Sequence, residues 1–356
     1  MSSASFDQRP LPKSFILELT QRCNNACQHC YTAWGAPALA YRQRSRGELP
    51  TAAMKEIISK LHEEASPQVI GISGGEPLMR EDLPELLAFI RQRGIAPYLI
   101  TNGTLLTPEI AKAIKENKSS CEITLLSIRP EIHDALAGRR GARDEAIHGI
   151  ANLVVAGAQP VAVFVATRLN YMDLYRTAEL AITLGAAAVS YNRLNLGAYN
   201  LPMADRLLPT PEMIRENLDM LDALAEKYGV PVTIGVVIEP CVVDCRKYER
   251  LQFGFCPLGG EGSYFTIDPQ GYIRICNHSP TILGNIRTDH FPDIYYHHPY
   301  MQAFRETWPE ECQDCPPDLK TLCSGGCKAA AEQCRGGLQH VDPFVSLSLG
   351  QRVEAQ

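Results

Sequence analysis

Three cysteines near the N-terminus, Cys23, Cys27 and Cys30, constrain this chain more than any other feature. Their spacing, C-x3-C-x2-C, supplies three thiolates, and thiolates are the ligands that hold iron–sulfur clusters. A closed structural zinc site would be expected to supply a fourth ligand nearby. No further cysteine follows before Cys121, and His29 is badly placed because it is adjacent to Cys30. The spacing therefore predicts a cubane cluster in which one iron is left open.

A second motif, Gly74-Gly75-Glu76-Pro77, follows the apolar run 69–72, which is typical of a buried strand. Paired glycines allow a ligand to approach the backbone closely because they have no Cβ atom. The carboxylate of Glu76 can accept hydrogen bonds from an ammonium group. We therefore expect a ligand-binding loop at the end of this strand.

With these two motifs, and with Tyr31 directly after the third cysteine, the chain resembles the radical S-adenosylmethionine (radical SAM) superfamily. The resemblance implies two cofactors, SAM and a [4Fe–4S] cluster on Cys23, Cys27 and Cys30. It also implies that the loop 74–77 holds the amino group of SAM.

Short β-rich runs alternate with amphipathic helical stretches up to residue 235, a pattern typical of parallel strands joined by crossover helices. The runs predict strands over residues 15–19, 69–72, 96–102, 121–127, 160–166 and 188–191. A helix is predicted over 211–228 and a further strand over 231–238. The resemblance implies an α/β fold, the partial (β/α)6 TIM-type barrel of radical SAM enzymes. Functional residues belong at the C-terminal ends of such strands.

The resemblance also implies further SAM contacts at these strand ends. In addition to Tyr31 and the loop 74–77, they are Asn102, Ser127, Arg139, Asn170 and Arg193. Two positions depart from the family pattern. Ser127 is followed by Ile-Arg-Pro instead of Leu-Asp-Gly, and the expected arginine position is Ala137, so that Arg139 or the adjacent Arg140 would substitute for it.

Cysteine density rises sharply in the C-terminal third, where nine of the thirteen cysteines lie between residues 241 and 334. We predict a domain boundary near residue 236, with a barrel domain over 1–235 and a cysteine-rich domain over 236–356. Two alternating runs around the turn 268–271 predict a β-hairpin in this second domain.

This region resembles the SPASM/twitch extension of radical SAM enzymes, which binds auxiliary [4Fe–4S] clusters. The resemblance rests on three spacings, Gly271-x4-Cys276, Cys312-x2-Cys315 and Cys323-x3-Cys327. Seven residues separate Cys315 from Cys323, which is more than usual for this pattern. It implies a first cluster on Cys256, Cys276 and Cys327, with Cys241 or Cys245 as fourth ligand. It implies a second cluster on Cys312, Cys315, Cys323 and Cys334. A closed zinc site of four thiolates is the alternative for the second set.

Composition favours a large soluble enzyme, because 356 residues with 45% hydrophobic side chains can bury a sizeable core. The net charge of −6 and the scattered Lys and Arg residues predict no nucleic-acid partner. The sequence suggests neither a signal peptide nor a membrane span, so we expect a cytoplasmic protein without a membrane partner. Cysteines in such a reducing compartment are better explained as metal or cluster ligands than as disulfides.

The resemblance implies an oxidoreductase that reductively cleaves SAM to a 5′-deoxyadenosyl radical and oxidises a substrate C–H position. SPASM proteins most often act on peptides, so we predict a maturase of a ribosomally made peptide, with a flavodoxin- or ferredoxin-type electron donor. The first strand begins near Phe15, which leaves no room for an N-terminal peptide-recognition domain. A separate recognition protein, or direct peptide binding in the barrel, is then expected.

Two other functions stay open from the sequence. One is a radical SAM enzyme of small-molecule or tetrapyrrole cofactor biosynthesis, and the other is a non-catalytic, cysteine-rich zinc-binding protein. The sequence identifies no catalytic base.

Overall fold

The computed structural model describes residues 9–32, 47–350 and 353. Eight strands lie side by side in chain order, and each is parallel to its neighbours. They are β1 (Ser14–Thr20), β2 (Val69–Gly74), β3 (Ala96–Thr101), β4 (Ser120–Thr124), β5 (Pro160–Ala166), β6 (Ala188–Arg193), β7 (Val232–Ile234) and β8 (Leu251–Phe253). The predicted α/β partial barrel is confirmed, since six strand–helix units follow one another and the described strands leave the sheet open at its edges.

Helices cover the outer face of this barrel. They are α1 (Thr51–Ala65), α2 (Leu83–Gln92), α3 (Pro108–Glu116), α4 (Pro130–Ala137), α5 (Ala142–Val155), α6 (Leu174–Leu184), α7 (Ala204–Leu207) and α8 (Pro211–Tyr228). Outward side chains of the strands, such as Leu17, Leu99 and Ile123, are fully buried in the core that the helices close. The inward side chains of the same strands line the barrel lumen, because successive residues of a strand point to opposite faces.

Local sequence signals account for several helix boundaries. The hydroxyl oxygen of Thr210 accepts a hydrogen bond from the Met213 N–H at 3.3 Å, and Pro211 occupies the first helical position. Both features are typical of helix N-termini. The C-terminal residue Gly229 adopts a positive φ of 63°. The helix predicted over 211–228 therefore has the bounds that its capping residues dictate.

The strand predicted over 231–238 ends early, at Ile234. At Gly235 the chain leaves the sheet, and Val237 and Ile238 are buried without being part of a strand. A run of apolar residues indicates that the segment is buried, but burial alone does not distinguish a strand from a packed loop.

The C-terminal part contributes three short strands, β9 (Tyr264–Ile267), β10 (Tyr272–Arg274) and β11 (Gly284–Asn285). The predicted hairpin is confirmed as the antiparallel pair β9–β10, whose turn is fixed by the Asp268 side chain. Helices follow as α9 (Phe291–His297), α10 (Pro299–Glu306), α11 (Pro317–Cys323), α12 (Lys328–Arg335) and α13 (Pro343–Ser348).

The hairpin is attached to the barrel itself, because β9 pairs in parallel with β1. Phe15 on β1 packs against Phe265 on β9 and Phe291 on α9, with ring centroids 6.4 and 5.0 Å apart. Arg274 on β10 also forms a buried ion pair with Glu18 on β1. One sheet and one core thus cross residue 236, so the division at that residue stays a prediction based on composition.

No helix in the described ranges has the length and apolar character that crossing a membrane requires.

Candidate functional site

The thiols of Cys23, Cys27 and Cys30 follow the C-terminal end of β1 and line one cavity of about 590 Å³ in the barrel lumen. Burial raises the pKa of the Cys27 thiol, and the charges of Cys30 and Cys23 raise it further. This repulsion is offset when a cationic metal centre binds the sulfurs as thiolates. Three soft donors that converge from one loop on one cavity fit a [4Fe–4S] cluster with one open iron.

The loop that carries Cys23, Cys27 and Cys30, here called the cysteine loop, is held in place by the end of helix α4. The backbone N–H groups of Ala26 and Gln28 donate to carbonyl oxygens of that helix at 3.0 and 2.9 Å. A Cβ atom on Gly138, just after α4, would lie 2.3 Å from the Ala26 oxygen. Glycine at this position therefore lets the helix end and the cysteine loop meet.

Gly74 and Gly75 pack against the other side of the same loop. The Gly75 N–H donates to the Thr20 oxygen at 2.8 Å. A Cβ atom on Gly75 would lie 2.1 Å from the Arg22 oxygen, and one on Gly74 would lie 2.3 Å from that of Thr20. Gly74 also has a φ of 131°, a backbone conformation that residues with a side chain rarely adopt. The paired glycines therefore position the cysteine loop as well as lining the cavity.

Glu76 and Pro77 lie behind the cavity wall that Gly74 and Gly75 form. The Glu76 carboxylate is fully buried and accepts hydrogen bonds from the Thr101 hydroxyl at 2.6 Å and the Leu78 and Asn102 N–H groups at 3.0 and 2.8 Å. It thereby joins the loop after β2 to the loop after β3. Burial raises its pKa to about 7, although these hydrogen bonds oppose the shift.

We expect Glu76→Gln to make the protein less stable by about 1–3 kcal/mol at pH 5.5, because an amide group cannot accept from three donors as a carboxyl does. The deficit should shrink by pH 8. The folded-state pKa of Glu76 lies above 4.5, so the parent protein loses stability as the carboxyl ionises between about pH 4.5 and 7. Anaerobic thermal unfolding at several pH values measures this, with Glu63→Gln on the exposed side of α1 as control. A deficit that is constant with pH would contradict the burial effect.

Tyr31 and Asn102 line the cavity beside the cysteine loop. The amide nitrogen of Asn102 donates to the Asn24 side-chain oxygen at 2.9 Å and lies 4.0 Å from the Cys23 sulfur. The Tyr31 hydroxyl accepts from the Asn277 amide at 2.6 Å. Tyr31 therefore connects the cysteine loop to the residue that follows Cys276.

Three predicted SAM contacts, Ser127, Arg139 and Asn170, make hydrogen bonds within the protein and are not part of the cavity wall. Ser127 donates to Asp173 at 2.6 Å. Asn170 makes three side-chain hydrogen bonds to Thr167 and Val165 around the end of β5 and one to the Leu126 oxygen after β4. Arg139 pairs with Glu145 and donates to the Asn25 side chain of the cysteine loop at 2.9 Å. In this structure they support the loops around the cavity, and their contact with SAM stays a prediction.

Arg193 touches the cavity wall, but its guanidinium group is fully buried and engaged. It donates to the Val237 oxygen at 2.7 Å, to Glu239 at 3.1 Å and to Asp342 at 2.7 Å. The group also lies 4.3 Å from the centre of the Phe344 ring. Arg193 thus joins the end of β6 to the C-terminal helix α13, a role that the sequence did not indicate.

Cys256, Cys276 and Cys327, here called the first auxiliary trio, line the same cavity as the N-terminal cysteines. Burial raises the pKa of the Cys327 thiol, and the charges of Cys276 and Cys256 contribute. The three thiols therefore lie on one cavity wall, and their role as ligands of a first auxiliary cluster stays a prediction. The Asn195 amide lies 3.6 Å from the Cys327 sulfur.

Cys241 lies instead with Cys312, Cys315 and Cys323, and these four cysteines are here called the second thiol group. Burial raises the pKa of the Cys241 thiol to about 11, with contributions from the charges of Glu239, Cys323 and Cys315. Burial also raises the pKa of the Cys312 thiol, and the charges of Cys323, Cys241 and Cys315 contribute. The structure thus groups Cys241 with a different set from the one expected.

Two other predicted ligands, Cys245 and Cys334, pack in the core that Cys312 also borders. The Cys245 thiol is directed at the Val243 oxygen, 3.2 Å away. Cys334 on α12 is 1% exposed within the core that includes Val341 and Phe344. Burial raises the pKa of the Cys334 thiol, and the charge of Asp342 contributes.

Neither group is compact enough for a single ion. In residues 9–32 and 47–350, no three His, Cys, Asp or Glu side chains converge closely enough to hold one metal ion. A structural zinc would draw four ligands to about 2.3 Å from one point. For the second set, the auxiliary cluster and the zinc alternative therefore both stay predictions.

Several polar side chains inside the lumen were not predicted from the sequence. Glu122 on β4 projects into the cavity beside Tyr98 on β3, and Tyr264 on β9 lines it with 40% of its surface exposed. Burial raises the pKa of Glu122, and the hydrogen bond with Tyr98 opposes the shift. The available signal was the alternation in 120–124, which places a carboxylate on the inward face of a strand.

Two family models match the chain. One, described as the radical SAM superfamily, covers residues 17–181, and the other, the SPASM model described as an iron–sulfur cluster-binding domain, covers residues 256–316. Both agree with the motifs around Cys23 and Cys276.

Two curated relatives match at equal identity but differ in activity. The AdoMet-dependent heme synthase of Nitratidesulfovibrio vulgaris is 28% identical, over 96% of this chain and 94% of the relative. The PqqA peptide cyclase of Methylocella silvestris is also 28% identical, over 95% of this chain and 88% of the relative. Sequence similarity therefore does not choose between their substrates.

Solved structures share the fold. Streptococcus suis SuiB bound to S-adenosylmethionine superposes with a TM-score of 0.72 at 16% identity, covering 93% of this chain and 76% of SuiB. The structure of anSMEcpe with bound AdoMet and the Cp18Cys peptide gives 0.70 at 18% identity, covering 95% of each chain. At such identities the likeness concerns the architecture alone.

Proposed function

Because the chain belongs to the radical SAM superfamily and carries a SPASM iron–sulfur cluster-binding domain, we propose that it is an oxidoreductase that modifies a peptide. The cofactors of such a chain are SAM, the [4Fe–4S] cluster that binds it, and auxiliary clusters. When bound, SAM and its cluster supply a 5′-deoxyadenosyl radical that removes a hydrogen atom from the substrate. The residues of the chain bind these groups, orient the substrate and exclude water.

The proposed roles follow the positions of the side chains. Cys23, Cys27 and Cys30 would hold the SAM-binding cluster, and the cavity-lining residues Tyr31, Gly74, Gly75 and Asn102 would contact SAM. A supporting role fits the residues that are engaged elsewhere, Glu76, Pro77, Ser127, Arg139, Asn170 and Arg193.

The charges of the cavity wall support a peptide over a tetrapyrrole. Among the described wall residues, the cations are Arg193, bound by two carboxylates, and Lys328, whose ammonium donates to the backbone oxygens of Phe304 and Thr307 at 2.6 and 2.5 Å. Burial lowers the pKa of His29 and His278 to about 4, so both are neutral at pH 7.

A tetrapyrrole substrate carries several carboxylates, and burying each without a cation is costly. The described wall offers these carboxylates no uncommitted cation. It presents instead the Glu122 carboxylate beside Tyr98, which suits the N–H and ammonium donors of a peptide. This carboxylate is the observation that carries the proposal. The name of the peptide cyclase relative is consistent with it.

The test is anaerobic incubation of reconstituted enzyme, SAM and reductant with short peptides encoded beside the gene, read by mass spectrometry. We expect the mass of one peptide to fall by two hydrogen atoms, as the formation of a cross-link requires. With the Glu122→Ala variant we expect no change in the mass of that peptide. An iron tetrapyrrole with carboxylate side chains is the competing substrate. Turnover of the tetrapyrrole, with every peptide unchanged, would overturn the proposal.

Two partners follow from this function. Cleavage of SAM needs one electron, so we propose a flavodoxin- or ferredoxin-type donor. We further propose that the peptide is bound either by a separate recognition protein or directly in the barrel. Reconstitution with and without a co-encoded recognition protein distinguishes these two routes.

A further inference from the structure

One carboxylate of the cavity wall has no cation beside it. Two acidic residues line the wall as described, and the first of them, Glu18, is paired with Arg274. The second, Glu122, forms no ion pair within residues 9–32 and 47–350, and its hydrogen-bond partner is the Tyr98 hydroxyl. Burying a carboxylate is costly unless the group is paired. The lumen therefore holds an acidic group that a cationic ligand would complete.

Glu122 lies inside the lumen, some way from the cysteine loop. Its register partner on β3 is Ile100, two residues before Asn102. Asn102 follows the end of β3, where its side chain donates to Asn24 of the cysteine loop. Two residues of a strand span about 7 Å. A side chain that enters the cavity at the level of the cysteine loop must therefore be long to reach Glu122.

The cavity wall on the strands next to Glu122 is apolar. Ile100 is level with Glu122 on β3, and Val163 and Val165 line the cavity further along β5. A side chain with an apolar stem and a charged end suits such a passage. Lysine has this character, because its ammonium group is carried on a flexible four-carbon stem.

Tyr98 is held beside Glu122 because a side chain is missing on β2. Gly71 is the register partner of Tyr98, and a Cβ atom on it would lie 3.0 Å from the Tyr98 ring. The Tyr98 hydroxyl thereby reaches the Glu122 carboxylate and adds a second acceptor oxygen. An ammonium group has three N–H donors and no acceptor, so it can use both oxygens.

We propose that Glu122 and Tyr98 bind a lysine side chain of the peptide substrate, with its ammonium group on the Glu122 carboxylate and its stem along the apolar wall. The peptide backbone then lies at the level of the cysteine loop. Glu122 thus determines which residue of a peptide is presented there, since a carboxylate at the end of the passage repels acidic side chains. This inference rests on the proposed function, because it names a residue of the peptide.

The test measures binding and needs no turnover. Reconstituted enzyme with SAM is titrated anaerobically in a calorimeter with two capped pentapeptides, one with a single lysine among glycines and one with norleucine in its place. We expect the lysine peptide to bind the parent enzyme more tightly by a factor of about 30 or more. Glu122→Gln should remove this difference, and the control Glu63→Gln, on the exposed side of α1, should preserve it.

A second variant covers the case in which Glu122→Gln does not fold. Iron content and thermal unfolding equal to those of the parent show that a variant is folded and loaded. Tyr98→Phe removes one oxygen from the site and keeps the ring against Gly71. It should weaken binding of the lysine peptide by a factor of about 2–10 and leave binding of the norleucine peptide unchanged.

Two results would overturn the lysine site. The first is that the lysine peptide binds the parent enzyme no more tightly than the norleucine peptide, or does not bind at all. The second is a preference for lysine that survives in folded Glu122→Gln, which would place the ammonium group elsewhere. Either result, together with modification of a peptide in the mass-spectrometric test, refutes the lysine site alone. Turnover of a tetrapyrrole with every peptide unchanged refutes the proposed function instead.

Discussion

Replacing Cys23, Cys27 and Cys30 together by alanine is expected to reduce 5′-deoxyadenosine formation to the rate measured without enzyme. The three thiols, which we propose as ligands of the SAM-binding cluster, line the cavity together, and without them no iron would be positioned beside bound SAM. Because enzymes typically accelerate reactions by at least about a millionfold, the loss should be complete within detection. Chromatography of anaerobic reactions with dithionite measures the product.

The matched control for this experiment is Cys121→Ala. Cys121 is 1% exposed in the core outside the barrel lumen, so its loss should cost some stability but no iron. The triple variant should lose roughly four irons per chain, and the control should lose none. Deoxyadenosine formation by the triple variant at the parent rate would refute the assignment of the cysteine loop.

Arg193→Met is expected to destabilise the protein by about 3–5 kcal/mol, because it leaves a buried ion network without its cation. Glu239 is 1% exposed and Asp342 is 0% exposed, and both carboxylates contact the guanidinium group. Asp342 also accepts the backbone N–H of Cys327 at 3.2 Å. The loss should therefore extend to the first auxiliary trio, with a lower iron content after reconstitution. Anaerobic denaturant unfolding and iron analysis measure the two effects.

Glu239→Gln is the matched control in the same network. Burial raises the pKa of Glu239, a shift that Arg193 opposes and the Asp342 charge reinforces, so removal of this negative charge leaves Arg193 paired with Asp342. A neutral amide of the same size should then cost much less, roughly 1 kcal/mol. Equal losses for Arg193→Met and Glu239→Gln would show that the cation does not hold the network together.

The barrel strands and their order could be predicted from sequence because each strand carries its own signal. The strand 160–166 has the predicted bounds, and helix 211–228 has its own capping residues. Such signals are local and depend on neighbours along the chain. The attachment of β9 to β1 had no such signal, since it joins residues about 250 positions apart.

The predicted SAM contacts show the same limit. Glu76 is predicted from its motif, Arg139 as a substitute for an expected arginine and Asn170 from its place at a strand end, but their side chains make internal hydrogen bonds in the structure. A motif fixes which residue stands at a strand end. The direction of its side chain depends on partners such as Thr101 and Glu145, which the sequence does not bring together.

The sequence by itself determined that this chain carries a three-thiolate loop, a Gly-Gly-Glu loop and a barrel to hold them, because spacing and strand periodicity are properties of short segments. It also determined how many thiols are available. Only the tertiary structure decided how the cysteines after residue 240 are grouped in space. It places Cys241 with Cys312 and leaves the first auxiliary trio on the cavity wall. The reason is physical: ligand grouping depends on distances between segments that fold together, and those distances follow from packing across the whole core.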